Sequence, residues 1–165
     1  MTPRRQKVLI LRSCRLAQFL AAVVAARQRH PYAEIVALTH RGHGQVLRAA
    51  GVDRVIEIPG RRFGLVTLPP WVLADVRSNN FDEVILPQMS WNPEEHANLY
   101  RLAMALNPPR VVIMPPEAPA QEFDRARFLT FMLQHTTSGI RQWTAAMFVV
   151  MTIGVVERMF GTRLR

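Results

Sequence analysis

Short unbroken apolar runs alternate with longer mixed stretches along the first two-thirds of this chain. Val8-Leu9-Ile10-Leu11 has the all-apolar character of a strand covered on both faces. Phe19, Leu20, Val23 and Val24 share one side of a predicted helix over Leu16 to Arg29, and Pro31 ends it. Glu34 to Leu38 reads as a second strand and Arg54 to Ile58 as a third. Between them, His40 to Gly44 forms a loop and Gln45 to Ala50 a short helix stopped by Gly51. Pro69-Pro70 opens a helix from Trp71 to about Asn79. Glu83 to Leu86 is strand four. Asn92 as cap, Pro93 at the first position and the acids Glu94-Glu95 in the first turn then start a helix that runs to Leu106. Val111 to Met114 is strand five, Pro115 to Pro119 is a linker, and a helix is predicted from Glu122 to about His135.

Five short strands alternating with helices predict an α/β fold. The expected architecture is a single Rossmann-like domain with a five-stranded parallel sheet, strand order 3-2-1-4-5, helices on both faces and right-handed crossovers. Residues 1–116 form that domain, 117–138 a linker and helix, and 139–165 an apolar helix with a basic tail.

That last segment changes the picture. From Gln142 to Val156 there is no charge, and the apolar residues fall all round the helical wheel: Trp143, Met147, Phe148, Val150, Met151, Ile153 and Val155 among them. A helix lying on a membrane surface has a polar side. This one is expected to be buried in lipid, in partner protein or in both. Fifteen helical residues span about 22 Å, short of a hydrocarbon core of ~30 Å, so neighbouring protein or local thinning would take up the mismatch. Trp143 suits one interface, and Arg158, Arg163 and Arg165 the other.

Composition adds a net charge of +9, from 21 Lys and Arg against 12 Asp and Glu. Part of the arginine excess reflects base composition; the rest points to an acidic partner such as anionic lipid. The arginines are scattered, with no zinc motif, aromatic ladder or basic helix, which argues against nucleic acid. The single cysteine, Cys14, excludes an internal disulfide and predicts a reducing compartment. The basic start carries an apolar run of only four residues, so the domain is expected on the cytoplasmic side.

Any ligand crevice would lie at the C-terminal strand ends. The loops there contribute Arg12, Ser13, His40, Arg41, His43, Gln88, Ser90, Trp91 and Asn92. Arg12 and Arg41 could act as forked donors to a phosphate and Trp91 as a stacking face, or the set could face a partner protein. His40 and His43 lack a neighbouring cysteine or carboxylate, so no metal is expected. Cys14 is either a packed thiol or one activated by Arg12 and Arg15. Neither a dinucleotide fingerprint nor a phosphate-binding P-loop occurs, and no cofactor is expected.

The run KVLILRSCRLAQFLAAVVAARQRHPYAEIVALTHRG, from Lys7 to Gly42, resembles the first βαβ unit of the heptosyltransferase-like (family 9) glycosyltransferases. Arg12, the stretch from Arg27 to Pro31, and Ala33-Glu34-Ile35 carry the likeness. GVDRVIEIP and LADVRSNNFDEVILPQ are similar to the next two segments, so the resemblance covers about residues 7 to 114. It implies a Gly-Asp pair after the first strand, whose carboxylate serves as general base on the acceptor hydroxyl. Here that position reads Ala17-Gln18, or Cys14-Arg15 under a different gap. Neither glutamine nor arginine accepts a proton at neutral pH. The family's second domain, which holds most of the sugar nucleotide, has no counterpart in the resemblance.

These readings together predict a non-catalytic, membrane-anchored accessory subunit of an integral membrane protein complex, of which a photosynthetic or other energy-transducing bacterial assembly is an example. The domain would serve as a docking module on the cytoplasmic face of the inner membrane. The alternative is a split glycosyltransferase that takes a sugar nucleotide and acts on a lipid-linked acceptor.

Overall fold

The structure, a computed structural model, describes residues 4–59, 68–90, 92–116 and 118–135. The expected apolar helix over 139–165 and the loop residue Trp91 lie outside the described residues.

The strands are β1 (Lys7–Leu11), β2 (Glu34–His40), β3 (Arg54–Ile58), β4 (Glu83–Pro87), β5 (Arg110–Met114) and β6 (Gln121–Asp124). They form one sheet in the order β3-β2-β1-β4-β5-β6. The first five are parallel. The helices are α1 (Leu16–Arg29), α2 (Gly44–Ala49), α3 (Pro70–Ser78), α4 (Ala97–Leu106, entered through a 3-10 turn over Pro93–His96) and α5, described over 125–135. The order of the parallel strands agrees with expectation. The strand count does not: the sheet has six strands, and the sixth runs antiparallel to β5.

The sixth strand comes from the segment read as linker and helix. Its residues Gln121, Glu122 and Asp124 are exposed, and Phe123 packs against one core. Val111 pairs with Phe123 and Arg110 with Asp124. The Asp124 carboxylate then accepts the Arg127 N–H at 2.8 Å, an N-cap geometry. One residue therefore ends the strand and starts the helix, which moves the helix start from the expected 122 to 125.

Alternate strand positions feed two cores, as period-two geometry requires. Val8, Ile10, Ile35 and Val112 pack with Phe19, Val23 and Ala26 of α1 and Leu47 of α2. Leu9, Leu11, Leu86 and Ile113 pack on the opposite face with Val72 and Val76 of α3, Leu99, Tyr100 and Leu102 of α4, and Phe128 of α5. Helices thus cover both faces, which is compatible with the Rossmann-like expectation.

Ion pairs among the described residues are distributed unevenly between the two ends of the sheet. Ion pairs crowd the N-terminal ends of the parallel strands: Arg27–Asp53 at 2.7 Å, Arg54–Asp75 at 2.7 Å and Arg5–Asp53 at 3.4 Å. Glu83, fully buried at the start of β4, lies 3.1 Å from His30 Nε2 and 3.5 Å from Arg110. Arg29 pairs with Glu122, tying α1 to the edge strand.

Candidate functional site

In a parallel sheet the natural crevice opens where two neighbouring strands send their chains to opposite faces. Here that point lies between β1 and β4, because β1 leads into α1 on one face and β4 into α4 on the other. Arg12 and Ser13 follow β1, and Gln88 to Ser90 follow β4.

The two loops are stitched together across this point. The Ser13 hydroxyl donates to the Pro87 carbonyl at 2.8 Å. The Gln18 side-chain amide donates to the Gln88 carbonyl. The Arg15 N–H meets the Met89 sulfur at 3.3 Å. Gln18 is one of the residues that the resemblance aligns with a catalytic pair; its amide is spent on the facing loop. Gln88, itself buried, donates onward to the Tyr100 hydroxyl at 2.5 Å. Burial raises the Tyr100 pKa above its ordinary value, against the pull of that bond, so its proton stays in place.

The other expected residues are spread along the same end of the sheet. Arg12 extends to Thr39 Oγ1 at 3.3 Å, and its Nε is buried. His40 closes β2 opposite Ile58. Arg41 is exposed in the following turn and His43 is half-buried before α2. The turn is held by a residue that sequence reasoning passed over. Glu57 on β3 accepts the Gly42 N–H at 3.2 Å and the Gly44 N–H at 3.0 Å. Gly42 needs its lack of side chain, with φ at +92°.

Ser90 and Asn92 belong to a third arrangement. Ser90 Oγ donates to Glu95 Oε2 at 2.6 Å and lies 3.5 Å from His96 Nε2. Asn92 caps the 3-10 turn by accepting the Glu94 N–H at 3.2 Å, and its amide reaches Glu95 at 3.4 Å. The Ser90 hydroxyl bond holds the Glu95 carboxyl below its ordinary pKa. Burial depresses the His96 pKa, outweighing the Ser90 and Glu95 contributions. A hydroxyl, a carboxylate and an imidazole meet here, but in the wrong order for nucleophilic catalysis. The serine proton is committed to the carboxylate, whereas a relay places the imidazole between the two.

A cleft of about 320 Å³ opens beside Gln88, Pro93, Tyr100, Ile113, Gln121, Phe131 and His135. It is apolar on the Phe131 and Ile113 side and polar at Gln88 and Tyr100. Cys14 packs against the α1 core, and burial pushes its thiol up to about 11; the nearby Arg12 charge pulls the other way but is outweighed. Activation by Arg12 and Arg15 is therefore not what the surroundings produce. Among the described residues no group of three metal-ligating side chains comes together. No helix among them is long and apolar enough to cross a membrane. No family model and no curated protein matches this chain.

Proposed function

We propose that this chain is a non-catalytic, membrane-anchored accessory subunit, in which an α/β domain derived from a glycosyltransferase-like ancestor docks onto a membrane protein complex. The observation that carries this reading is the stitched crevice between β1 and β4. Ser13, Arg15 and Gln18 are bonded to Pro87, Met89 and Gln88, in the place where an acceptor and a general base would have to meet. No carboxylate stands at either aligned position, and Ser90 and Glu95 are absorbed in capping a helical turn. The uncharged stretch from Gln142 to Val156 supplies the anchor in this reading. An integral membrane assembly would then cover the apolar length that a bilayer alone does not match.

The test is a pull-down of the tagged full-length chain from native membranes in mild detergent, with mass spectrometry of the retained proteins. Recovery of a stoichiometric set of integral membrane proteins supports the proposal. Recovery of the chain from the soluble fraction without detergent refutes it. Calorimetry with sugar nucleotides separates the enzyme reading: saturable heat at millimolar ligand, lost on changing Arg12 and Arg41 to Ala, would turn the assignment toward a split glycosyltransferase.

A further inference from the structure

We propose that the cleft between α4 and α5 is a binding site for a small neutral ring carrying an N–H beside a carbonyl, the edge of a lactam. The proposal goes beyond the subunit reading and does not depend on it.

The site lies one strand away from the closed crevice. Gln88 follows β4; its N–H donates to the Met114 carbonyl at 2.9 Å and its carbonyl accepts the Gln18 side-chain amide. Its backbone is therefore held from both sides, and its side chain reaches the Tyr100 hydroxyl of α4. Ile113 and Gln121, paired across β5 and β6, and Phe131 of α5 line the rest. The open space between them is about 320 Å³, about ten times the share of one water in the liquid. That volume suits one or two rings rather than a nucleotide or an oligosaccharide.

Unspent hydrogen-bonding groups define one side of the ligand. Gln88 and Tyr100 are each only 1% exposed, so what meets them comes through the cleft. The Gln88 amide donates to the Tyr100 oxygen, and neither the Tyr100 proton nor Gln88 Oε1 has a partner among the described residues. Turning the amide over exchanges the roles and still leaves a donor and an acceptor: the amide then offers its N–H and the phenol oxygen a lone pair. Burial raises the Tyr100 pKa, which keeps that proton available. An apolar pair of the same shape would fill this spot at little cost. A buried polar pair with a spare donor and acceptor is satisfied when a guest brings the complementary edge, a carbonyl next to an N–H.

The lining defines the rest. The residues around this cleft include no Asp, Glu, Lys or Arg. The cleft beside His30 is the contrast, since Arg4, Arg5 and Arg29 line it. A charged guest at Gln88 and Tyr100 would lose its hydration and find no counter-ion, so the guest is neutral. Phe131 gives it an aromatic wall, and packs edge-on against Tyr100 with centroids 5.6 Å apart. Tyr100 is also braced by Phe128 at 5.9 Å. The polar edge is thus fixed before a ligand arrives, and binding has little side-chain freedom to remove.

The test is calorimetry of the full-length chain in detergent, against a matched detergent blank, with three probes of similar size. α-Pyridone carries the lactam edge, benzene lacks it, and benzoate carries a charge. α-Pyridone should saturate with a Kd on the order of 1 mM or below, at least about tenfold tighter than either of the others. Gln88→Leu with Tyr100→Phe replaces both polar groups by apolar ones of similar shape. The domain should fold, and α-pyridone should lose at least about tenfold in affinity while benzene does not weaken. If that variant loses its native circular dichroism, Gln121→Trp decides. Gln121 is exposed on the edge strand at the mouth of the cleft, and the larger ring there should weaken α-pyridone at least about tenfold. No saturation by any probe up to about 10 mM overturns the site. Benzene or benzoate binding as tightly as α-pyridone overturns the ligand class, and with it the proposal. Undiminished α-pyridone affinity in a folded variant shows that the probe binds elsewhere, and overturns it as well.

Discussion

Removing the His30 ring should destabilise the domain more than neutralising the acid it touches. Glu83 is fully buried at the start of β4, between β1 and β5. Its two oxygens face His30 Nε2 at 3.1 Å and Arg110 at 3.5 Å. The Arg110 side chain is 50% exposed, so water screens its attraction; the His30 side chain is 10% exposed and acts in a far lower dielectric. Deleting one partner of a buried pair costs about 3–5 kcal/mol, because the remaining charge stays desolvated. His30 also borders a surface cleft with Arg4, Arg29 and Tyr32, through which water can reach the gap, so His30→Ala belongs at the lower end, about 3 kcal/mol. Glu83→Gln keeps a hydrogen-bonding group towards His30 and loses only the weakly held charge towards Arg110, for about 1 kcal/mol. A domain of this size should translate the first change into a melting shift of roughly 6–12 °C and the second into roughly 2–4 °C. Urea unfolding and thermal circular dichroism of the full-length chain in detergent measure both. Equal losses, or a greater loss for Glu83→Gln, would show that the ring does not compensate the carboxylate and would refute the reasoning.

Three further outcomes are expected. Asp53 accepts the Ile35 N–H at 2.7 Å and pairs with Arg27 at 2.7 Å, so Asp53→Ala should cost about 2 kcal/mol in urea unfolding at pH 7. Burial would raise the Asp53 pKa, but the Ile35, Arg27 and Arg5 contacts outweigh it and hold the carboxyl below its ordinary value. Its contribution is therefore present above the unfolded pKa of about 3.9 and lost as pH falls through the folded value; the gap between wild type and variant should close in acid. Cys14, with its thiol pushed up to about 11, should react with a disulfide reagent at pH 8 on the order of 100-fold more slowly than a free cysteine, and a rate within a few-fold of free cysteine would contradict its packing. Phe128, fully buried with rings of Tyr100 and Phe123 at 5.9 and 6.0 Å, should cost about 4 kcal/mol as Phe128→Ala and should accelerate hydrogen exchange over 121–135; exchange unchanged there would show that α5 is held by something else.

The elements that bury most were the ones legible in the sequence. Val8 to Leu11 and Val111 to Ile113 are covered on both faces, so their apolar runs announce them. β6 has one inward side chain, Phe123, among three polar ones, and four residues are too few for a period to show. Strand β2 runs two residues beyond its expected end, because Thr39 is buried and His40 pairs with Ile58, facts that depend on β3 lying alongside. The same limit applies to the candidate site. Its loops were placed from the strand order, but the bonds that close it join residues about seventy positions apart, such as Ser13 with Pro87. The Ser90, Glu95 and His96 meeting is local and could have been read from the cap spacing. Glu57 could not, since nothing near it in sequence marks it as the acceptor for two glycine amides.

The edge strand has a consequence for how copies of this protein behave at high local density. A sheet that ends in an open strand invites another strand to add to it. β6 offers only four residues, three of them exposed and polar, with carboxylates at Glu122 and Asp124. Two copies meeting edge to edge there would bring these carboxylates together and disturb the Arg29 and Arg127 that pair with them. At the opposite edge β3 presents Glu57 to solvent. Among the described residues the sheet thus ends on both sides in short strands that carry carboxylates, and molecules concentrated in one place should remain discrete units rather than stack into a continuous sheet.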